Sequence, residues 1–154
     1  MVREEKRYRG KIMNISVDNE VHVDFDQWIY GGLTYDAVDD EFHIVCIDEE
    51  EGRPILFTPR EDTIHASTFK KDSQNVMVFE KDILNFTDNE GKQLFHIVVD
   101  DNGVLGLTPL DRYKADHWQH NTLPIHSTIA DEIFSRARVV GNTVDEPEWI
   151  KIYG

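Results

Sequence analysis

A stretch of alternating apolar and polar residues, Val78–Leu110, constrains the fold most strongly, because it predicts three consecutive β-strands joined by two polar turns. The strands are expected at Asp82–Thr87, Gln93–Asp101 and Val104–Thr108. Asn102-Gly103 suits a two-residue hairpin whose central residues both need a positive φ. Asp88–Gly91 supplies the other turn, and Pro109 ends the last strand because proline has no N–H to donate. The segment therefore predicts a tight antiparallel meander.

The rest of the chain also repeats mainly with a period of two. Val21, Val23 and Phe25 alternate with polar residues and predict a strand with one apolar face. Phe42–Ile47 is apolar on both faces, so we expect a strand buried on both sides. Pro54–Pro59 is a short strand between two prolines and is expected at a sheet edge, where strands of two subunits could pair into a homo-oligomer. Ile64–Phe69 and Val76–Phe79 are weaker strand candidates.

Helical signals are few and lie near the C-terminus. Ser127-Thr128 followed by acidic residues is typical of a helix start, with Ile129, Ile133 and Phe134 as its buried stripe. A strand is expected at Arg138–Val140, and residues 146–149 suit one final helical turn. The interval 113–124 has no clear period and is predicted to be the longest loop. The sequence thus predicts an all-β protein with little helix.

The composition predicts a soluble cytoplasmic protein. A chain of 154 residues can bury roughly 70% of the surface that its unfolded form exposes. The single cysteine, Cys46, cannot form an internal disulfide, which favours a reducing compartment. No apolar run approaches the length of a membrane span, and no signal peptide is recognisable.

The formal charge of −14 is unevenly distributed. Residues 1–11 contain five basic and two acidic side chains, a net +3, so the remainder carries −17. Acidic runs occur at residues 39–41, 48–51, 100–101 and 145–148. A negative field of this kind repels phosphate backbones, so direct nucleic-acid binding is disfavoured except through the basic N-terminus. The acidic surface serves either solubility or the binding of a basic partner, and composition alone does not decide between them.

Three groups of residues carry functional side chains, and for each the structural interpretation is preferred. His117 and His120 have the spacing of a zinc pair, and His126, Asp111 and Asp116 are near in sequence, but no cysteine pair or HExxH motif supports a metal site. His22, Asp24 and Asp26 share one strand face, which is more typical of the wet side of a sheet than of acid–base chemistry. Cys46 lies in an apolar run, where a thiol is usually inert. No nucleotide-binding loop or nucleophile elbow is present, so we predict no catalytic residues, no cofactor and no metal.

Aromatic residues provide one candidate interaction site. Trp28 and Tyr30 stand in one segment, and Tyr113 and Trp118 stand in another. Together they are the predicted members of a shallow groove of the kind in which small β-barrels bind peptides. The structural alternative is that these aromatics cap the ends of the barrel.

Two segments resemble the YopX family of phage and prophage proteins. Thr63–Leu84 is similar to the family's central stretch, which leads into an alternating strand and an acidic hairpin, and Ala137–Trp149 is similar to its C-terminal motif. The resemblance covers residues 55–150 best. One departure is that Lys81 precedes Asp82, where the family carries glycine, a residue that takes a positive φ without strain.

The resemblance implies a β-barrel related to SH3-like rolls and a phage or prophage origin. Residues 1–58 are then an N-terminal β segment or subdomain, and residues 59–154 are the SH3-type barrel with its C-terminal strand. The family supplies no catalytic or binding residues to carry over. The predicted function is a non-enzymatic interaction module that binds a host or phage protein, with a basic partner favoured by the charge. The alternative is an accessory role in phage DNA or RNA metabolism.

Overall fold

The computed structural model describes residues 6–15, 27–113 and 118–153. The chain divides into two compact units, which comprise residues 1–67 (unit 1) and residues 68–154 (unit 2). The strands are β1 (Tyr8–Ile15), β2 (Trp28–Asp36), β3 (Glu41–Ile47), β4 (Pro54–Pro59), β5 (His65–Lys71), β6 (Met77–Phe79), β7 (Asp82–Thr87), β8 (Gln93–Asp101), β9 (Val104–Pro109), β10 (Leu123–Pro124) and β11 (Arg138–Asn142). The helices are α1 (Thr128–Arg136) and α2 (Glu148–Tyr153), and short 3₁₀ turns span Glu61–Thr63, Leu110–Arg112 and Trp118–Asn121.

Unit 1 contains a partly closed ring of antiparallel strands. The first half of β1 pairs with β2 at Tyr8–Lys11, and its second half pairs with β4 at Ile12–Ile15. Because β3 pairs with both β2 and β4, the four strands return on themselves. Its core consists of Ile12, Ile29, Ile44, Cys46, Ile55 and Phe57.

Unit 2 is built on the predicted meander. Its sheet has the order β10-β9-β8-β7-β11, all antiparallel. Alternation along the strands gives two apolar faces. One face packs with α1 through Val78, Leu84, Val98, Leu107, Ile125, Ala130, Ile133, Phe134 and Ala137. The other face contains Ile83, Ile97, Val99 and Leu110, with Phe95, Tyr113, Trp118, Val140 and Trp149 against them.

The fold-class prediction, an all-β SH3-like roll with a three-strand meander and an N-terminal β segment, is confirmed. The strands β7 and β8 have the predicted bounds, and β9 extends one residue further, to Pro109. The barrel-like closure is made by β1–β4, whereas the meander forms an open sheet in unit 2. The predicted strand around Val21–Phe25 lies outside the described residues.

The predicted position of Pro54–Pro59 at a sheet edge is wrong. This strand, β4, lies between β3 and β1. Its prolines pair with Ile47 and Ile12 and occupy the first and last positions of the strand. Intervening residues provide the N–H groups that an interior strand needs. Because β4 is already paired on both sides, it cannot serve as the edge strand through which a homo-oligomer was expected.

Two predictions about burial also need correction. In β3, Ile44 and Cys46 are buried, but on the opposite face Val45 is half-buried and Ile47 is 57% exposed, so the strand is not buried on both sides along its length. The strand lies in the wall of a ring, and such a strand turns one face outward. In α1, Ser127 caps the helix as predicted by accepting from the Ala130 N–H, but Ile129 is 59% exposed, and Ala130 takes its place in the buried stripe. Neither helix in the described ranges is long and apolar enough to span a membrane.

Candidate functional site

An open recess of about 540 Å³ in unit 1 collects most of the acidic side chains near the β2–β3 hairpin. It is lined by Asp39, Asp40, Glu41, Phe42, Thr58, Pro59, Arg60, Glu61 and Asp62, and we call it the acidic pocket. Five carboxylates thus face one guanidinium. Arg60 lies 3.3 Å from the Asp62 carboxylate, so its charge is already shared with one of the five.

The hairpin turn positions the first three carboxylates of the pocket. The Asp36 side chain accepts hydrogen bonds from the Val38 N–H at 2.9 Å and the Asp39 N–H at 3.3 Å. These two N–H groups lower the pKa of Asp36 because they stabilise its charged form. Asp40 then adopts a left-handed backbone conformation with φ of 55°, which returns the chain into β3. The turn is therefore held by its own acidic residues.

Exposed apolar side chains border the pocket on the same hairpin. Tyr35 and Phe42 face each other across the two strands, with ring centroids 5.0 Å apart, and they are 51% and 37% exposed. Val38 at the tip is 92% exposed. The Tyr35 hydroxyl donates to the Asp40 carboxylate, and this hydrogen bond raises the pKa of Tyr35, with desolvation and the charges of Asp36 and Glu61 acting in the same direction. Negative charge and apolar surface are thus adjacent.

A polar trio beside this surface consists of buried Thr58 and His43 and exposed Glu41. The Thr58 hydroxyl is 3.2 Å from His43 Nδ1, and His43 Nε2 is 3.9 Å from the Glu41 carboxylate. The order hydroxyl, imidazole, carboxylate resembles a nucleophile with its base and orienting acid. However, Thr58 is only 4% exposed and His43 only 6%, so a substrate carbonyl has little access to the hydroxyl. The trio satisfies polar groups between β3 and β4 rather than presenting a nucleophile.

The four predicted groove aromatics are divided between the two units, with two in each. Trp28 and Tyr30 are half-buried, two residues apart on β2 in unit 1. The Arg9 guanidinium carbon lies over the Trp28 ring, 4.4 Å from the ring centroid. The centroids of the Trp28 and His65 rings are 5.7 Å apart.

In unit 2, the Tyr113 and Trp118 rings lie 5.7 Å apart. The ammonium group of Lys81 donates to the Tyr113 hydroxyl at 2.9 Å. Both rings pack against the face that contains Ile83 and Ile97. Within each unit these aromatics are engaged by neighbours, and a groove made by all four stays a prediction.

Among the other sequence candidates, those within the described residues do not converge on a metal site. His22, Asp24, Asp26, Asp116 and His117 lie outside the described residues. Asp111, His120 and His126 are exposed. Across residues 6–15, 27–113 and 118–153, no three His, Cys, Asp or Glu side chains are arranged to hold a metal ion. Cys46 is 5% exposed, and burial raises its pKa to about 11, which keeps the thiol protonated at neutral pH.

Sequence reasoning identified the run Asp39–Glu41 but missed its partners Glu61 and Asp62. The signal was present in the register, because antiparallel pairing of β3 with β4 places the start of β3 beside the end of β4. Only Arg60 separates the acidic pair from Pro59, so pairing the two predicted strands as a hairpin would have brought the two acidic segments together. The assignment of Pro54–Pro59 to a sheet edge concealed this.

Neither the models of known protein families nor the curated proteins give a match to this chain. The resemblance to YopX proteins therefore stays a prediction, and the function is argued from the geometry of the acidic pocket.

Proposed function

We propose that this chain is a non-enzymatic interaction module that binds a basic segment of another protein in the acidic pocket. The observation that carries the proposal is the combination of five carboxylates with exposed Tyr35, Val38 and Phe42 on one open surface. The resemblance to YopX proteins supports a phage or prophage origin, with a host or phage protein in the bacterial cytoplasm as the partner.

The chemistry of the pocket suits lysine and arginine side chains. Their charged ends would approach the carboxylates, and their aliphatic stems would lie on the aromatic rings of Tyr35 and Phe42. A cation over such a ring gains about 0.5–1 kcal/mol at an exposed site. Complementary charge also accelerates association and makes it sensitive to salt. A basic, partly apolar peptide is thus the partner that uses both properties of the surface.

The alternative function, association with nucleic acid through the basic N-terminus, is less well supported. Arg9 is fully buried, beside His65 and Trp28, and Lys11 lies 5.4 Å from the Trp28 ring centroid. A side chain packed in this way has less freedom to reach a phosphate. Mimicry of DNA by the acidic face would be a special case of the main proposal, because a basic DNA-binding protein would then be the partner.

Peptide binding to charge-removing and apolar-to-polar variants tests the proposal. The probe is a short fluorescein-labelled peptide rich in lysine and leucine, and a second peptide replaces each lysine with glutamate. We expect saturable binding of the lysine peptide that weakens steeply with salt, and no binding of the glutamate peptide. Combining Asp39→Asn with Glu61→Gln should weaken binding by about 5-fold at low salt.

The matched control combines Glu49→Gln with Glu50→Gln. These residues are exposed in the β3–β4 turn of the same unit and do not line the pocket, so the control removes the same charge elsewhere. Val38→Ser removes an apolar contact from a side chain that is 92% exposed, and it should weaken binding without changing stability. Equal weakening by both charge variants would overturn the proposal, because bulk charge would then explain the binding. Micromolar binding of duplex DNA with a steep salt slope would favour the alternative instead.

A further inference from the structure

A second recess, of about 450 Å³, lies in unit 2 where β9 ends beside the start of β8. It is lined by Lys92, Gln93, Leu94, Phe95, His96, Pro109, Leu110, Asp111, Arg112 and Asn121, and we call it the histidine pocket. Its volume falls in the range of pockets that bind small molecules, roughly 300–1,000 Å³. Four apolar side chains contribute to its wall.

Proline shapes this recess. Pro109 is the last residue of β9 and stands opposite His96 in the register. It has no N–H to give to β8, and the chain leaves the sheet directly after it in the turn Leu110–Arg112. The start of β8 from Gln93 to Phe95 therefore extends beyond the end of β9, and the space beside it remains open.

His96 is the unusual group in this pocket. It is only 7% exposed, and its Nδ1 atom finds no hydrogen-bond partner among the described residues. Its ring packs against Phe86 with centroids 5.5 Å apart. Burial lowers the pKa of His96 to about 4, against the opposing charge of Asp111, so the imidazole is neutral at neutral pH. Buried polar atoms in native proteins nearly always have a partner, and an orphaned one requires an explanation.

The rim of the pocket is cationic in a protein with a formal charge of −14. Lys92 and Arg112 are both exposed, and within the described part of the chain neither forms an ion pair. Asp111 is the one acidic residue among those that line the recess. Two basic side chains without acidic partners therefore stand at the mouth of an apolar recess.

We infer that the histidine pocket binds a small organic anion with an apolar body. The anionic end would lie between Lys92 and Arg112, and the body would lie against Leu94 and Pro109, which share the sheet face of His96 by alternation along β8 and by the β8–β9 register. On binding, the covered His96 ring would turn toward the recess, so that its Nδ1 would hydrogen-bond a polar group of the ligand and gain the partner that the fold does not supply. This site is independent of the acidic pocket and of the peptide that we propose for it.

Three probes separate the components of this recognition. Benzoate combines an apolar ring with a carboxylate, benzyl alcohol retains the ring without the charge, and inorganic phosphate retains the charge without the ring. Titration of ¹⁵N-labelled protein should show benzoate shifting the amides of Leu94, Phe95, Leu110 and Arg112. Benzoate should bind about 5-fold more tightly than benzyl alcohol at low salt, and phosphate should leave these amides nearly unshifted.

Variants identify the groups responsible. His96→Phe keeps a ring against Phe86 and removes both nitrogens. It should weaken binding of 4-hydroxybenzoate, whose added hydroxyl can hydrogen-bond the imidazole, by about 5-fold and leave benzoate nearly unchanged. Arg112→Gln changes an exposed side chain, so folding is not at risk, and it should weaken benzoate by about 3-fold while leaving benzyl alcohol unchanged. Arg138→Gln is the matched control, since Arg138 is exposed in the same unit and does not line the pocket. Equal affinity for benzoate and benzyl alcohol, equal effects of the two arginine variants, or benzoate shifts outside the pocket would each overturn the inference.

Discussion

The two recesses have similar volumes, about 540 and 450 Å³, but opposite electrostatic character. The acidic pocket surrounds one arginine with five carboxylates and is bordered by exposed aromatics. The histidine pocket has at its mouth two cations that form no ion pair with any described residue, and it has a buried neutral imidazole in its wall. A formal charge of −14 therefore describes neither surface on its own. The net charge governs solubility and long-range steering, whereas recognition depends on which side chains the register brings together.

The difference follows from how each recess is made. The acidic pocket forms around a hairpin turn held by acidic residues, and turns favour Asp because its side chain accepts backbone hydrogen bonds. The histidine pocket forms where a proline stops strand pairing and leaves a side chain near the end of the sheet with an unsatisfied atom. Surface turns thus supply charge, and interrupted strand ends supply cavities.

The strongest destabilisation is expected from a substitution at Gly31, in the unit that contains the acidic pocket. A Cβ atom at Gly31 would lie 2.1 Å from the Val45 carbonyl oxygen, so Gly31→Ala must displace β3. We expect a loss of about 3 kcal/mol or more of unfolding free energy and a loss of peptide binding. Gly32→Ala is the control, because a Cβ there meets nothing within 4 Å. Denaturant unfolding and peptide titration measure both. Because each unit has its own core clusters, benzoate binding should persist, and its loss would show that the two sites are not independent.

The next largest loss of stability is expected in unit 2. The buried Asp72 carboxylate accepts from the N–H groups of Gln74, Val76 and Val139, each at 2.9 Å. Asp72→Ala would leave these donors without their acceptor, and we expect a loss of about 3 kcal/mol in denaturant unfolding. Asp131→Ala serves as the control, since it removes only an exposed pair with Lys70 and should change stability by less than about 1 kcal/mol. Similar losses of stability from both variants would mean that the hydrogen bonds to the Asp72 carboxylate do not stabilise unit 2 as proposed.

Measuring the unfolding free energy as a function of pH tests whether His96 in unit 2 is buried as a neutral imidazole. The folded-state pKa of His96 is about 4, below the value of about 6.5 expected in the unfolded chain. The unfolded state therefore binds the proton first as the pH falls. The resulting stability is present above pH 6.5 and is lost towards pH 4, amounting to about 2 kcal/mol by pH 5. His96→Phe should lack this component when the two unfolding curves are subtracted. Parallel curves for wild type and variant would mean that His96 is not buried as a neutral group.

The smallest effect concerns the helix that covers one face of the meander. Ser127 accepts from the Ala130 N–H at 3.2 Å and caps α1. Ser127→Ala should reduce stability by about 1 kcal/mol. Ser135→Ala, a change on the exposed face of the same helix, should cost less. Neither should alter peptide binding to the acidic pocket, and thermal unfolding with peptide titration would reveal any exception.

The sequence predicted the elements that local patterns determine. Alternation placed β7 and β8 at their observed bounds, and the Ser127 signal placed the start of α1. Asn102-Gly103 was identified as a turn, and both residues have positive φ. Lys81 also has a positive φ, of 69°, at the position where the resembled family carries glycine, and its contact with Tyr113 accompanies that strained backbone.

Features that depend on distant parts of the chain could not be predicted in this way. Whether Pro54–Pro59 lies at an edge depends on β1, which approaches from more than forty residues away and pairs with it. That Pro109, whose side chain offers no hydrogen bond, stands opposite His96 is visible only once β8 and β9 have paired in register. Half of the acidic pocket was visible as the run Asp39–Glu41, whereas its concave shape required the tertiary fold.

A single ¹⁵N-labelled sample, titrated first with the lysine-rich peptide and then with benzoate, shows whether the two recesses bind opposite ligands. We expect two separate sets of shifted amides, one among residues 36–62 with the peptide and one among residues 92–121 with benzoate, with neither ligand displacing the other. If both ligands shift the same residues, or if the peptide shifts none in the acidic pocket, the assignment of opposite ligands to the two recesses is wrong.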